Sequence, residues 1–237
     1  MKQIVSLSGG KDSLAMSLRL LEEGEEVEAF VFCDTGYEYP ETYDALERFE
    51  HETGRVITRL AGDYSFDQYA IEKEKKVKPG KTPKRLVGYG WPHMMRRWCT
   101  AHLKREPLDR FKRQMGKDCI HLVGIAADEG KRIREEKDKR YPLVEWGMTE
   151  ADCLAYCKER GYYQSPCAYD VCKRMSCFLC SLMNNTQIKY LVNQRPELWE
   201  KIKELERKIG EPWKEKGTEY YENRFLLPHL EYDLEEI

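Results

Sequence analysis

No apolar run in this chain approaches the ~20 residues that a membrane-spanning helix needs. The N-terminus enters a strand pattern at once, without the charged-then-apolar profile of a secretory leader. Membrane partners are therefore not expected, and the expected location is cytoplasmic. Charge of one sign is also lacking: 35% of the 237 residues are charged, yet the net charge is −2, so no global basic field argues for nucleic-acid binding. Internal repeats are absent, and so is the Walker loop, with its four residues between glycines and its Gly-Lys-Ser/Thr ending. No cysteine follows Cys180.

Cysteine as such is not scarce. Nine of them in a chain without an export signal do not read as a disulfide framework; clustered thiols in a reducing compartment point to metal binding or sulfur chemistry. The length suits one substantial domain with a small appended part. Strand patterns at Lys2–Leu7, Val27–Cys33, Val56–Leu60 and Cys119–Ile125 alternate with helical patterns at Asp12–Glu23, Pro40–Thr53, Leu103–Gln114 and Glu150–Arg160, the last capped by Thr149. This alternation predicts an α/β fold: a doubly wound, mostly parallel sheet with helices on both faces. Residues 1–150 are expected to form the nucleotide-binding part. Residues 151–237 should add a cysteine-rich segment and a helical extension, including an amphipathic helix from about Glu197 to Ile209. The run Lys73–Arg85 has no periodicity and is rich in Lys and Pro; it reads as a basic loop, either a solvated linker or a contact for a phosphate backbone.

The first strand runs into Ser8-Gly9-Gly10-Lys11-Asp12-Ser13. Two glycines between a strand and a helix allow a tight turn, so that backbone N–H groups and the helix N-terminus face an anion. Ser8 and Ser13 add hydroxyl donors, Lys11 a positive charge, and Asp12 a carboxylate able to hold the loop or a divalent metal. Among the thiols, Cys167, Cys172, Cys177 and Cys180 fall within one short segment, and Cys177-x-x-Cys180 has the spacing of two ligands on one centre. Cys153 and Cys157 share a helix face and read as core, as do Cys33 and Cys119 at strand ends. His93 and His102 flank Cys99 and read either as structural residues or as proton carriers.

Four stretches in order resemble the adenine-nucleotide α-hydrolase (PP-loop ATP pyrophosphatase) superfamily, a Rossmann-like fold whose members adenylate a substrate and release pyrophosphate. They are Ser8–Ser13; Phe32-Cys33-Asp34-Thr35-Gly36 with Glu38, Pro40, Glu41 and Thr42; Arg97-Trp98-Cys99-Thr100 with Leu103-Lys104 and Pro107-Leu108; and Gly124-Ile125 with Asp128-Glu129, Arg132, Tyr141-Pro142-Leu143 and Trp146. Together they resemble the branch of phosphoadenylyl-sulfate reductases, sulfate adenylyltransferase small subunits and DNA-phosphorothioation sulfurtransferases. The resemblance implies ATP and Mg²⁺ held by Ser8, Gly9, Gly10, Lys11, Asp12 and Ser13, with Asp34, Thr35 and Gly124 beside the nucleotide. It implies catalytic roles for Lys11, Asp12, Cys99 and Arg132.

Cys99 lies where the assimilatory adenylyl-sulfate reductases carry a Cys-Cys pair, followed some eighty residues on by Cys-x-x-Cys; those four thiolates hold a [4Fe–4S] cluster. Trp98 replaces the first of the pair here, so Cys99, Cys177 and Cys180 carry over. The fourth ligand is expected from Cys172, with Cys167 as the alternative, or the fourth iron stays open for sulfide or substrate. A zinc site built from Cys167, Cys172, Cys177 and Cys180 alone is the competing expectation.

The reductases of the branch use a C-terminal cysteine, which is missing here, so the expected activity is ATP-dependent adenylation coupled to sulfur transfer, with a nucleic acid as acceptor. The alternatives are sulfonucleotide or sulfate metabolism and a regulatory module that binds ATP and a metal. The expected partners are ATP, a sulfur donor protein or sulfide, DNA or RNA at a face built from the basic loop with Arg96, Arg97, Lys104 and Arg105, and a second copy in a homodimer.

Overall fold

The computed structural model describes residues 1–75, 87–116, 118–134 and 136–226. Most of the basic run expected as a loop, from 76 to 85, and the C-terminal tail from 227 lie outside the described residues. Five strands, β1 (Lys2–Ser6), β2 (Ala29–Cys33), β3 (Ile57–Leu60), β4 (Cys119–Val123) and β5 (Lys139–Arg140), form one sheet in the order β3-β2-β1-β4-β5 with every pairing parallel. Side chains alternate between its faces. Val5, Leu7, Phe30, Phe32, Ile57 and Leu122 enter one apolar cluster, which also holds Leu14 and Leu18 of α1 (Lys11–Glu22), Leu46 and Phe49 of α2 (Pro40–Thr53) and, from farther along the chain, Cys153 and Cys157. Ile4, Val31 and Cys119 face the opposite way, against Leu108, Phe111 and Met115 of α3 (Glu106–Met115). Helices thus cover both faces, as the alternating pattern predicts.

Local chemistry explains the element ends. Pro40 opens α2, where its missing N–H costs nothing, and Gly54 closes it at a positive φ of 65°. The single helix expected over Leu103–Gln114 divides into a wide turn at Thr100–Arg105 and then α3, because Pro107 suits the first turn of a new helix better than the interior of an old one. The short α4 (Pro142–Glu145) follows β5. Thr149 and Asp152 form a reciprocal capping box on α5 (Glu150–Glu159), which packs on α1.

A second apolar cluster lies beyond the sheet. There Tyr39, Phe66, Tyr69, Trp91, Trp98 and Leu103 meet Leu191 of α6 (Asn185–Gln194), Trp199, Ile202 and Leu205 of α7 (Pro196–Ile209), Trp213, and Tyr221 of α8 (Gly217–Phe225). No helix among the described residues is long and apolar enough to cross a membrane.

Candidate active site

In an open parallel sheet, ligands bind outside the carboxyl ends of the strands where the connections diverge. Here that point lies between β1 and β4, and the loop 8–13 leaves β1 directly into it. The loop is heavily bonded to itself: Ser13 Oγ accepts the Ser8 N–H at 3.1 Å, lies 2.9 Å from Ser8 Oγ and donates to the Gly10 carbonyl at 3.0 Å. Gly9 has φ +70°, and a Cβ there would come within 2.5 Å of the Thr42 methyl. Gly124, at the end of β4, would place a Cβ 2.8 Å from Ser13 Cα and 2.9 Å from Ser13 N. The close approach that Gly124 permits is therefore to the loop 8–13 itself.

Lys11 is 4% exposed, and its ammonium lies 2.9 Å from Asp12 Oδ1 and 3.1 Å from Glu150 Oε1. Asp12, Glu129 and Glu150 each offer an oxygen within 4.8 Å of the others, a spacing that one divalent cation can bridge. Burial pushes the Asp12 carboxyl above the ordinary carboxylate range, with Lys11 opposing that shift. Glu129 is held by Arg132 and Arg174, so Arg132 reaches the loop region through an acid instead of presenting a free guanidinium. Asp128 accepts the Glu150 N–H at 3.0 Å, which fixes the start of α5 beside the loop.

The loop after β2 carries the next group. Asp34 accepts from the Gly36 N–H and the Tyr43 hydroxyl, both at 2.8 Å, and so shapes its own turn. Thr35 is buried; its hydroxyl donates to Glu38 at 3.0 Å and lies 3.3 Å from Cys177 Sγ. Glu38, also buried, takes the Cys177 thiol at 3.3 Å and the Lys104 ammonium at 3.1 Å. Burial first, then the Glu38 charge, raises the Cys177 thiol, and Lys104 pulls the other way.

Beside this network lies a cavity of about 170 Å³, lined in part by Thr35, His93, Cys99, Lys104, Cys177 and Cys180. The three thiols that carry over from the cluster-binding pattern therefore meet in one space. That volume is roughly ten times what one water-sized occupant needs, and the donor set is mainly thiol, which suits an iron–sulfur centre. Cys172 and Cys167 do not line this cavity. Cys172 is 3% exposed in the second apolar cluster, and Cys167 is packed in the first with its thiol donating to the Tyr163 carbonyl at 3.2 Å. His102 stacks on Tyr69 at 4.9 Å and contacts Glu106 at 2.9 Å, which are structural contacts.

The phosphoadenosine phosphosulfate reductase domain matches residues 2–183, more than three quarters of the chain. The chain belongs to that family. Among curated proteins it is 29% identical over 235 residues to the uncharacterized protein MJ0066 of Methanocaldococcus jannaschii, covering 90% of this chain and 44% of the relative. It is 25% identical to an uncharacterized 37.8 kDa protein of Escherichia phage 186, covering 87% and 75%. It is 30% identical to the uncharacterized nin region protein ORF290 of Escherichia phage lambda, covering 68% and 61%. The chain spans about half the length of MJ0066 and of a second M. jannaschii relative. A solved phosphoadenylyl-sulfate reductase from Candida auris, in complex with phosphate, aligns at 19% identity and a TM-score of 0.45 over 68% of this chain and 72% of that one.

Several residues of this family member's site escape sequence reasoning. Glu150 reads from sequence only as the start of a helix. Tyr163 donates its hydroxyl to the Gly9 carbonyl at 2.6 Å, and Tyr169 accepts the Lys11 N–H at 2.9 Å; neither tyrosine stands in a recognisable motif. Glu38 and Lys104 belong to quoted motifs, but their pairing across 66 residues appears only in three dimensions.

Proposed function

We propose that the protein cleaves ATP between the α- and β-phosphates, adenylates an acceptor oxygen and exchanges that oxygen for sulfur, with a nucleic acid as the acceptor. The carrying observation is the 3.3 Å contact between Thr35 Oγ1 and Cys177 Sγ. It ties the thiol-lined cavity to the loop after β2, at the same carboxyl end of the sheet from which the loop 8–13 leaves β1. In this reading residues 1–150 bind the nucleotide, and the segment from 151 onward brings the thiols and the tyrosines that brace the loop.

The acids favour ATP over a metal-free sulfonucleotide. Asp12, Glu129 and Glu150 lie within reach of one cation and are paired with Lys11, Arg132 and Arg174; an Mg²⁺ bound there would free those side chains for a polyphosphate and neutralise charge on the departing pyrophosphate. Lys11, released from Asp12 and Glu150, can then turn to the transferring phosphoryl group. An acceptor oxygen attacks the α-phosphorus, the bond to the β-phosphate oxygen breaks, and pyrophosphate leaves with the electron pair. Hydrosulfide-level sulfur, supplied as sulfide or by a donor protein, next attacks the activated centre, and AMP departs with the acceptor oxygen.

Cys99, Cys177 and Cys180 would hold an iron–sulfur cluster, which would keep reduced sulfur chemistry next to the nucleotide. The exposed Arg96 and Arg97 have no ion-pair partner among the described residues, and Arg97 also lines the thiol cavity. The Arg97 guanidinium beside the cavity, with the exposed Arg96 next to it in sequence, suits a phosphate backbone.

The test is pyrophosphate release from ATP with tRNA, DNA or sulfate as acceptor, with and without Mg²⁺. Mg²⁺-dependent release stimulated by nucleic acid is the expected result. Stimulation by sulfate alone would refute the assignment of the acceptor. Metal-independent reduction of a sulfonucleotide, the activity for which the family is named, would refute the adenylation.

A further inference from the structure

The thiol cavity has three cysteines and one imidazole. Cys99, Cys177 and Cys180 share it with His93, whereas neither cysteine expected to complete the set lines it. Cys167 donates its thiol to the Tyr163 carbonyl within the first apolar cluster. Cys172 is buried in the second cluster with Tyr39 and Tyr190, its backbone N–H fixed to the Ala168 carbonyl at 2.7 Å. Neither lines the cavity, although Phe66, Leu179, Cys99 and Cys180 of its wall belong to or pack against the cluster that holds Cys172.

His93 is an exposed residue that lines the cavity. Its backbone is pinned by a two-way bridge to Arg96, with His93 N–H donating at 3.3 Å and Arg96 N–H at 2.8 Å, which turns the chain back toward Cys99 six residues on. Its imidazole has no hydrogen-bond or ion-pair partner among the described residues. It stands on the wall that the thiol cavity shares with a larger open groove lined by Trp91, Met94, Leu182 and Lys214. Trp98, at the position of the missing cysteine, is buried and donates its indole N–H to the Gly90 carbonyl at 3.2 Å, so it fills space and offers no ligand.

We propose that His93 is the fourth protein ligand of an iron–sulfur cluster held by Cys99, Cys177 and Cys180, an inference that rests on the cluster assigned under the proposed function. Replacing one thiolate by a neutral imidazole removes a negative charge from the ligand shell. Histidine ligation accordingly raises the potential of such centres relative to all-cysteine ones.

The experiment uses the full chain purified without oxygen and labelled with ¹⁵N-histidine. Iron and sulfide are quantified, and the reduced cluster is examined by pulsed EPR. The expected result is a strong ¹⁵N coupling in the wild type and in Cys172→Ala and Cys167→Ala. His93→Ala abolishes the coupling with circular dichroism unchanged, and His93→Cys restores full iron content with a lower reduction potential. A wild-type cluster with full iron and no histidine coupling overturns the His93 assignment and leaves the cluster standing. A protein with no iron, or with zinc alone, overturns the cluster itself.

Discussion

The Tyr169 hydroxyl accepts the backbone N–H of Lys11 at 2.9 Å, a bond that spans 158 residues of sequence. Tyr163 reaches the same loop beside it and donates to the Gly9 carbonyl at 2.6 Å; the two rings meet edge to face at 4.9 Å. Both tyrosines come from the segment that leads into the cysteines. The phosphate loop and the thiol cavity therefore share one support, and displacement of that segment would be felt at both.

Tyr163→Phe and Tyr169→Phe should each lower stability by about 0.5–1.5 kcal/mol, the usual net worth of one hydrogen bond. Because the rings touch, the double variant should depart from the sum of the singles. Urea unfolding of the four proteins measures this. Strict additivity would show that the two tyrosines act as separate braces.

Gly124→Ala should cost about 1–3 kcal/mol and weaken ATP binding in parallel. Its new methyl would press on the Ser13 backbone at 2.8 Å, and a main chain has no rotamer with which to retreat. Gly130→Ala, close by in sequence but with nothing within 4 Å of its added methyl, is the control and should stay within about 0.5 kcal/mol of the wild type. Equal losses from both substitutions would remove the steric explanation.

The parts of the site that were legible in the sequence are those whose chemistry is local. The phosphate loop needs adjacent glycines, hydroxyls and a lysine, so a short stretch carries the signal. Strand and helix periods along residues 2–60 forecast the first half of the sheet, and α2 occupies the expected span, Pro40–Thr53. What stayed hidden depends on distant partners. Glu150 becomes a site residue only because Asp128 caps α5 next to Lys11. Two-residue β5 is too short to have a period and exists because β4 offers it a ladder. The helix α6 has no strong periodic signal in the sequence, and its start is marked only by the capping box of Asn184 and Gln187. Burial could not be read from cysteine spacing at all, and burial is what separates Cys172 and Cys167 from the three thiols in the cavity.

Metal binding at the acid triad should be pH dependent in one direction. Burial holds a proton on Asp12 to higher pH than an ordinary carboxylate, and a cation must displace that proton. Apparent affinity for Mg²⁺·ATP should rise as pH increases through the Asp12 transition and then level off. Asp12→Asn removes the dependence and should weaken Mg²⁺·ATP binding by roughly tenfold or more, about 1.4 kcal/mol per decade. Calorimetric titrations started at the ordinary carboxylate pKa and carried upward to neutral pH report both effects, and affinity that falls with rising pH would contradict the assignment.

Stability should fall in mild acid because of His121, which lies away from the site. His121 is 7% exposed between β4 and α3, its Nε2 2.7 Å from the Ser6 hydroxyl. Burial, reinforced by Lys112 and Lys139 against the weaker pull of Asp138 and Asp109, lowers it to about 4. An unfolded chain protonates this histidine near pH 6.5, whereas the folded chain does not until about pH 4. Between those values the unfolded state binds more protons, so acidification favours unfolding, by at most about 1.4 kcal/mol per pH unit from this group. The contribution is complete above pH 6.5 and is lost as pH falls toward 4. Urea midpoints measured across that window should slope for the wild type and flatten for His121→Asn, which keeps a polar partner for Ser6 without a titrating ring. An unchanged slope in the variant would move the acid sensitivity to other groups.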